Sequence, residues 1–155
     1  MRYSPRGKNW LGWGLMVVVS LSACAPSKVS QCNSLIEIAN GAALEANELT
    51  DDGQTDDQQA MLQAADAIEQ AAQEMEAVEL SDSQLQDYQT GFIEMYRATA
   101  GATRDYIEAT GNQDRSAADV AVAHLQQATQ PEEELVQGIN TYCTGNAAPP
   151  ASPAQ

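Results

Sequence analysis

The sequence predicts an all-α fold, an antiparallel up-down four-helix bundle with an alanine-rich core. Three observations carry that expectation. Apolar residues recur at steps of three and four in four separate segments, which is the spacing of one helix face. Short turn and cap signals separate the segments, and short connections make neighbouring helices antiparallel. Two cysteines, Cys32 and Cys143, stand at the start of the first segment and the end of the last. An up-down topology brings those two ends together.

The first helix is expected over residues 31–49. It places Cys32, Leu35, Ile36, Ala39, Ala42, Ala43, Ala46 and Leu49 at core-facing positions. Asp51, Asp52 and Gly53 form a turn. Thr55 followed by Gln58 has the capping-box pattern that opens a second helix, where Met61, Ile68 and Met75 repeat every seven residues among alanines. Ser81 with Gln84 repeats that pattern before the third helix, and Leu80 with Leu85 sits at hydrophobic-staple spacing. The third helix carries Leu85, Tyr88, Phe92, Met95, Thr99, Ala102, Tyr106 and Ala109. Within it Gly91 and Gly101 mark close packing or a bend, because each costs about 1 kcal/mol against Ala. The fourth helix starts near Asp114 or Ser116 and presents Ala118, Ala121, Val122, Leu125 and Ala128. Beyond Pro131, Leu135, Val136, Ile139 and Tyr142 continue its register. Preserved register favours one helix kinked at Pro131, although Glu132 then falls at a core position. The alternative is a fresh helix start, with Pro131 in the first turn and three glutamates complementing the dipole.

Residues 1–23 read as an export signal. Arg2, Arg6 and Lys8 precede an apolar run too short to span a bilayer, and the run Leu21-Ser22-Ala23-Cys24 closes it. This pattern resembles a bacterial lipoprotein precursor. The resemblance implies cleavage before Cys24, a thioether-linked diacylglycerol on its sulfur, and acylation of its new amino group. It also implies a membrane-anchored protein facing the periplasm or another extracytoplasmic space. The chain then divides into a signal at 1–23, a lipidated tether at 24–30, a bundle at 31–144 and a disordered Pro/Ala-rich tail at 145–155.

Loss of the signal changes the electrostatics. Three of the seven basic residues leave with it and all 22 acids remain, so four cations face 22 anions for a net charge of −18. Such a surface repels phosphates, which excludes electrostatic nucleic-acid binding and leaves the acyl chains to make the membrane contact. With Cys24 lipidated, Cys32 and Cys143 remain as an even pair in an exported domain, a disulfide pattern.

Catalytic and metal signatures are weak by comparison. The single histidine, His124, falls at a rim position of the fourth helix with no partner identified. No C-x-x-C, C-x-x-C-H, H-E-x-x-H or G-x-S-x-G run occurs, and neither does a pair of Glu-x-x-His motifs, so neither cofactor nor metal is expected. Asp51, Asp52, Asp56 and Asp57 around Gly53 miss EF-hand spacing and suit an ordinary helix start. A second stripe on the third helix suits a partner surface: Ile93, Arg97, Ala100, Arg104 and Ile107, edged by Tyr96. The competing reading is a helix buried over a wide arc, with Arg97 paired to Glu94 and Arg104 to Glu108.

Gln31-Cys32-Asn33 near the start and Ile139-Asn140-Thr141-Tyr142-Cys143 near the end resemble a group of uncharacterised cyanobacterial lipoproteins. That resemblance implies no activity and supplies no catalytic residue. The expected function is therefore non-enzymatic: a lipid-anchored protein that binds or scaffolds another envelope component. A small-ligand or divalent-cation sensor is the alternative.

Overall fold

The computed structural model describes residues 26–145; the signal segment, Cys24 and the segment 146–155 lie outside the described residues. The fold is helical throughout that range: α1 (Lys28–Thr50), α2 (Gln58–Glu76), α3 (Ser83–Gly111), α4 (Arg115–Thr129) and α5 (Glu132–Cys143).

Each start is set by a side-chain oxygen that satisfies free backbone N–H groups. α1 begins three residues earlier than the periodicity suggested, because the Ser27 hydroxyl accepts from Ser30 N–H. The expected tether is correspondingly short. The two predicted capping boxes are replaced by aspartates. Asp57 caps α2 by accepting from Gln59 and Ala60, and Asp82 caps α3 by accepting from Leu85. An ionised carboxylate is the stronger acceptor at a helix N-terminus. Thr55 is left to accept from Asp57 N–H, and Ser81 is drawn elsewhere. Asp114 caps α4 as the sequence indicated.

The segment expected as one helix bent at Pro131 is two helices, with Gln130 and Pro131 between them. Both residues keep right-handed helical dihedrals. Proline cannot donate a backbone hydrogen bond, and α5 opens with Glu132, Glu133 and Glu134 in its first turn, where negative charge is favoured.

One end of the molecule is tied together by several distinct contacts. The Cys32–Cys143 disulfide joins α1 to α5 with its Cα atoms 5.8 Å apart. Gln31, buried beside it, donates to the Pro26 carbonyl and accepts from Ser81 N–H at 2.7 Å, linking α1 to the α2–α3 turn. The Tyr142 hydroxyl donates to the Asp82 carboxylate at 2.9 Å, and Lys28 Nζ lies 3.5 Å from the Tyr142 ring centroid. Burial pushes the Asp82 carboxyl up, but the Leu85 N–H, the Tyr142 hydroxyl and Lys28 together hold it below its ordinary value. At the opposite end Gln58 of α2 donates to Thr110 of α3.

The core is uneven along this length. Its largest fully buried side chains are Leu35, Met75, Leu85 and Phe92, with Ile139 of α5 in the same cluster. Eleven of the twenty buried apolar residues are alanine, and they supply most of the burial toward the far end. Alanine brings backbones close but removes little surface from water, so the far end is the weaker half.

α5 lies close to α3 at two glycines. A Cβ on Gly91 would meet Leu135 Cδ2 at 2.6 Å, and one on Gly138 would meet Tyr88 at 2.8–3.2 Å. Gly138 carried no sequence signal; Gly91 did. Gly101 has open space around it. Gly138→Ala should therefore cost about 1–2 kcal/mol net, since overpacking against a stiff ring outweighs the gain in helix propensity. Gly101→Ala should instead stabilise by about 0.5–1 kcal/mol. Chemical denaturation of both variants checks the pair, and shifts of the same sign would contradict this packing.

Candidate functional site: an open seam between α1 and α4–α5

A closed four-helix bundle has four seams. Here α1 packs on α2, α2 on α3 and α3 on α4, but α4 has no comparable contact with α1. Of the last two helices only α5 packs on α1, at the disulfide end. The fourth seam is thus shut at one end and open for the rest of its length.

The residues that periodicity assigned to that seam are left in contact with water. On α1, Ala43 is exposed and Ala46 and Leu49 are half-buried. On the other side Val122 is 38% and Val136 40% exposed. Val122, Leu125, Thr129, Glu132 and Val136 follow at steps of three and four across the Pro131 junction. Ile36, Ala39, Ala43 and Ala46 do the same on α1. All but Thr129 were expected in the core. Ala43, Val122, Glu132 and Val136 are exposed and Ile36, Ala39, Ala46 and Leu125 half-buried, because α1 and α4 do not approach each other.

Between the two lines lies a cleft of about 420 Å³. Phe92, Met95 and Tyr96 of α3 form part of its lining with Ile68 of α2, and its walls run from Ala39 to Asn47 on one side and Thr129 to Val136 on the other. Among the described residues Glu132 is the only carboxylate lining it. That position is the one that looked anomalous in the sequence. A charge in the core register is costly to bury, whereas an open seam leaves it solvated.

Tyr96 links the cleft to the core. Its ring stacks obliquely on Phe92 at 5.9 Å, and burial, reinforced by the Glu132 charge, pushes its hydroxyl pKa up to about 12. The folded chain then keeps this proton at pH values where the unfolded chain, with an ordinary value near 10, loses it. The contribution is fully present below pH 10 and lost as pH rises toward 12. Stability measured by denaturant unfolding should fall over that window, and Tyr96→Phe should flatten the fall. Rising stability with pH would contradict the environment assigned to Tyr96.

The stripe predicted as a partner surface is placed differently. Arg97 pairs with Glu76 at 2.6 Å and Glu69 at 3.8 Å, and Arg104 with Asp66 at 2.8 Å and Glu69 at 3.9 Å. All three acids belong to α2. Ala100, Ile107 and Tyr96 are buried and Ile93 packs against the core. As a free surface this expectation does not hold, because α2 lies along the stripe and supplies its counter-charges. The competing reading of a wide buried arc describes it, with inter-helix ion pairs in place of those expected from Glu94 and Glu108.

His124 is exposed on α4, facing Asp105 and Glu108 across shallow clefts between α3 and α4. Among the described residues no group of three or more His, Cys, Asp or Glu is placed to hold a metal ion. Asp51, Asp52 and Gly53 make a turn with three successive positive φ angles, and Asp57 is the α2 cap.

Comparison with protein-family models, curated proteins and solved structures returned no match. The class is defined by the fold alone: a disulfide-closed helical bundle with one seam open.

Proposed function

We propose that this chain is a lipid-anchored, non-enzymatic envelope protein. In this reading its legs run antiparallel, up and down, and it binds another envelope component along the open seam. The observation that carries this reading is the seam itself: two apolar lines at helical spacing that the chain does not bury against each other. Contiguous exposed apolar surface rimmed by polar groups marks interaction sites.

The lipobox at Cys24 supports the anchor. Three peptide units separate Cys24 from the Ser27 cap, at most about 11 Å of chain. A lipid on Cys24 therefore holds the disulfide end at the membrane and presents the far end outward. No helix among the described residues is long and apolar enough to cross a membrane. The net charge of −18 favours standing away from anionic headgroups over lying on them.

A small apolar ligand is the second reading, because about 420 Å³ lies within the usual range of ligand pockets. The exposed line on α4 extends beyond the cleft to Val122, which an elongated partner uses and a compact ligand does not.

Two measurements test the proposal. Cys24→Ser should abolish palmitate labelling and release the protein from membranes or leave it unprocessed; persistent labelling and membrane association overturn the anchor. Affinity isolation from solubilised membranes should recover a partner with wild type but not with Ala43→Lys combined with Val136→Lys. Equal recovery by both removes the seam from the reading.

A further inference from the structure

We propose that the occupant of the open seam is a cationic amphipathic helix contributed by another protein. This inference rests on the docking reading above and adds the chemistry of the partner.

Shape comes first. From Val122 to Val136 the second line covers fourteen residues, about 21 Å of helix rise, and the α1 line from Ile36 to Ala46 covers about 15 Å. An occupant helix of three to four turns matches that length, and its anchors at i, i+3 or i+4, and i+7 match the spacing of both walls. Ala39, Ala43 and Ala46 on α1 let an incoming helix approach closely. Val136 opposite and Val122 farther along, both more than a third exposed, supply the apolar contact over a floor of Phe92, Met95 and Tyr96.

Charge then selects the occupant. Glu132 lines the cleft and Glu133 follows it, in a domain carrying −18. No cation lines the cleft. Of the four cations beyond the signal, Arg97 and Arg104 are committed to α2 carboxylates, Lys28 lies over Tyr142 at the disulfide end, and Arg115 opens α4. A second copy of this chain would bring its own −18 to the same face. That repulsion weighs against self-association and toward a partner helix with Lys or Arg flanking its apolar stripe.

The test uses lipidated full-length mature protein in zwitterionic nanodiscs, with empty discs as the blank. The probe is a labelled peptide of about four helical turns with Leu on one face and Lys on the other, read by fluorescence anisotropy. Its counterpart carries Glu at every Lys. Wild type should bind the Lys peptide and not the Glu peptide, and Ala43→Lys with Val136→Lys should weaken binding by about tenfold or more. Glu37→Gln with Glu45→Gln changes the net charge by the same amount on the α1 face toward α2, and should leave binding nearly unchanged. Asn47→Lys with Thr129→Lys, both lining the cleft, replaces the first variant should that one lose its helical signal.

Equal loss in the seam and control variants overturns the proposal, since binding would then follow overall acidity. So does equal binding of both peptides, no binding of the Lys peptide by wild type, or a dimer abolished by the seam variant. A partner isolated from membranes through the seam, with no binding of the Lys peptide, also overturns it while leaving the docking reading intact.

Discussion

Reduction of the Cys32–Cys143 disulfide should lower the melting temperature on the order of 15 °C while leaving the helical signal at low temperature largely intact. The bond spans 111 positions. The loop-entropy model assigns about 4–5 kcal/mol to a closure of that length, a large share of the roughly 5–15 kcal/mol that stabilises a typical domain. Its placement raises the consequence. α5 contacts only α1 and α3 and owes its position to Ile139, the two glycine contacts and the Tyr142–Asp82 hydrogen bond. Once the bond is cut, α5 is the leg with fewest restraints. Calorimetry with and without reductant, repeated on Cys32→Ala with Cys143→Ala, measures the effect. A melting temperature unchanged within a few degrees would show that packing alone closes this end. Cys32 is 3% exposed, so reduction under native conditions should be slow and should follow opening of the α1–α5 contact.

Phe92→Ala should cost about 3–5 kcal/mol, the range for deleting a buried aromatic side chain. Phe92 is 1% exposed and is, among the described residues, the largest fully buried side chain, in the cluster that also holds Leu35, Met75, Leu85 and Ile139. Tyr96, stacked on it at 5.9 Å, loses its support at the same time. Leu44→Ala serves as the internal comparison. It removes an apolar residue that is 61% exposed, and should change stability by no more than about 0.5 kcal/mol. Denaturant midpoints of the two variants decide the matter. A comparable loss for Leu44→Ala would contradict its exposed placement.

Much of the helical architecture was legible because its signals are local. The three-and-four spacing along α3 predicted eight core positions, of which Leu85, Phe92, Met95, Ala102 and Ala109 are buried and Tyr88, Thr99 and Tyr106 half-buried. Asp114 announced α4, and Pro131 marked the interruption before α5. The helix starts at Thr55 and Ser81 were misassigned by two residues and one residue respectively. Two oxygen-bearing side chains stood near each start, and only the folded backbone decides which reaches the free N–H groups. Ser81 was taken by Gln31, fifty residues away in sequence, a competition that no local pattern records.

The Arg97 and Arg104 stripe failed for a related reason. Helical spacing puts residues on a common face but does not say what that face meets. Arginine is compatible with a solvated partner surface and equally with a helix–helix boundary, where its stem packs and its guanidinium reaches across. Asp66, Glu69 and Glu76 of α2 made the second arrangement the lower in energy. The seam was missed in the opposite direction. Ala43, Ala46, Leu49 and Val122 have the periodicity of core residues, and Glu132 alone signalled that the register passes through water.

By itself the sequence determined the helices, their order, the short connections between them and the two cysteines that could meet, because backbone propensity, caps and periodic burial act within a few residues of chain. Tertiary structure decided which apolar lines were buried and which were left open. That outcome depends on distances between helices far apart in sequence. It is set here by a disulfide and large side chains at one end, and by alanines too small to draw α1 and α4 together at the other.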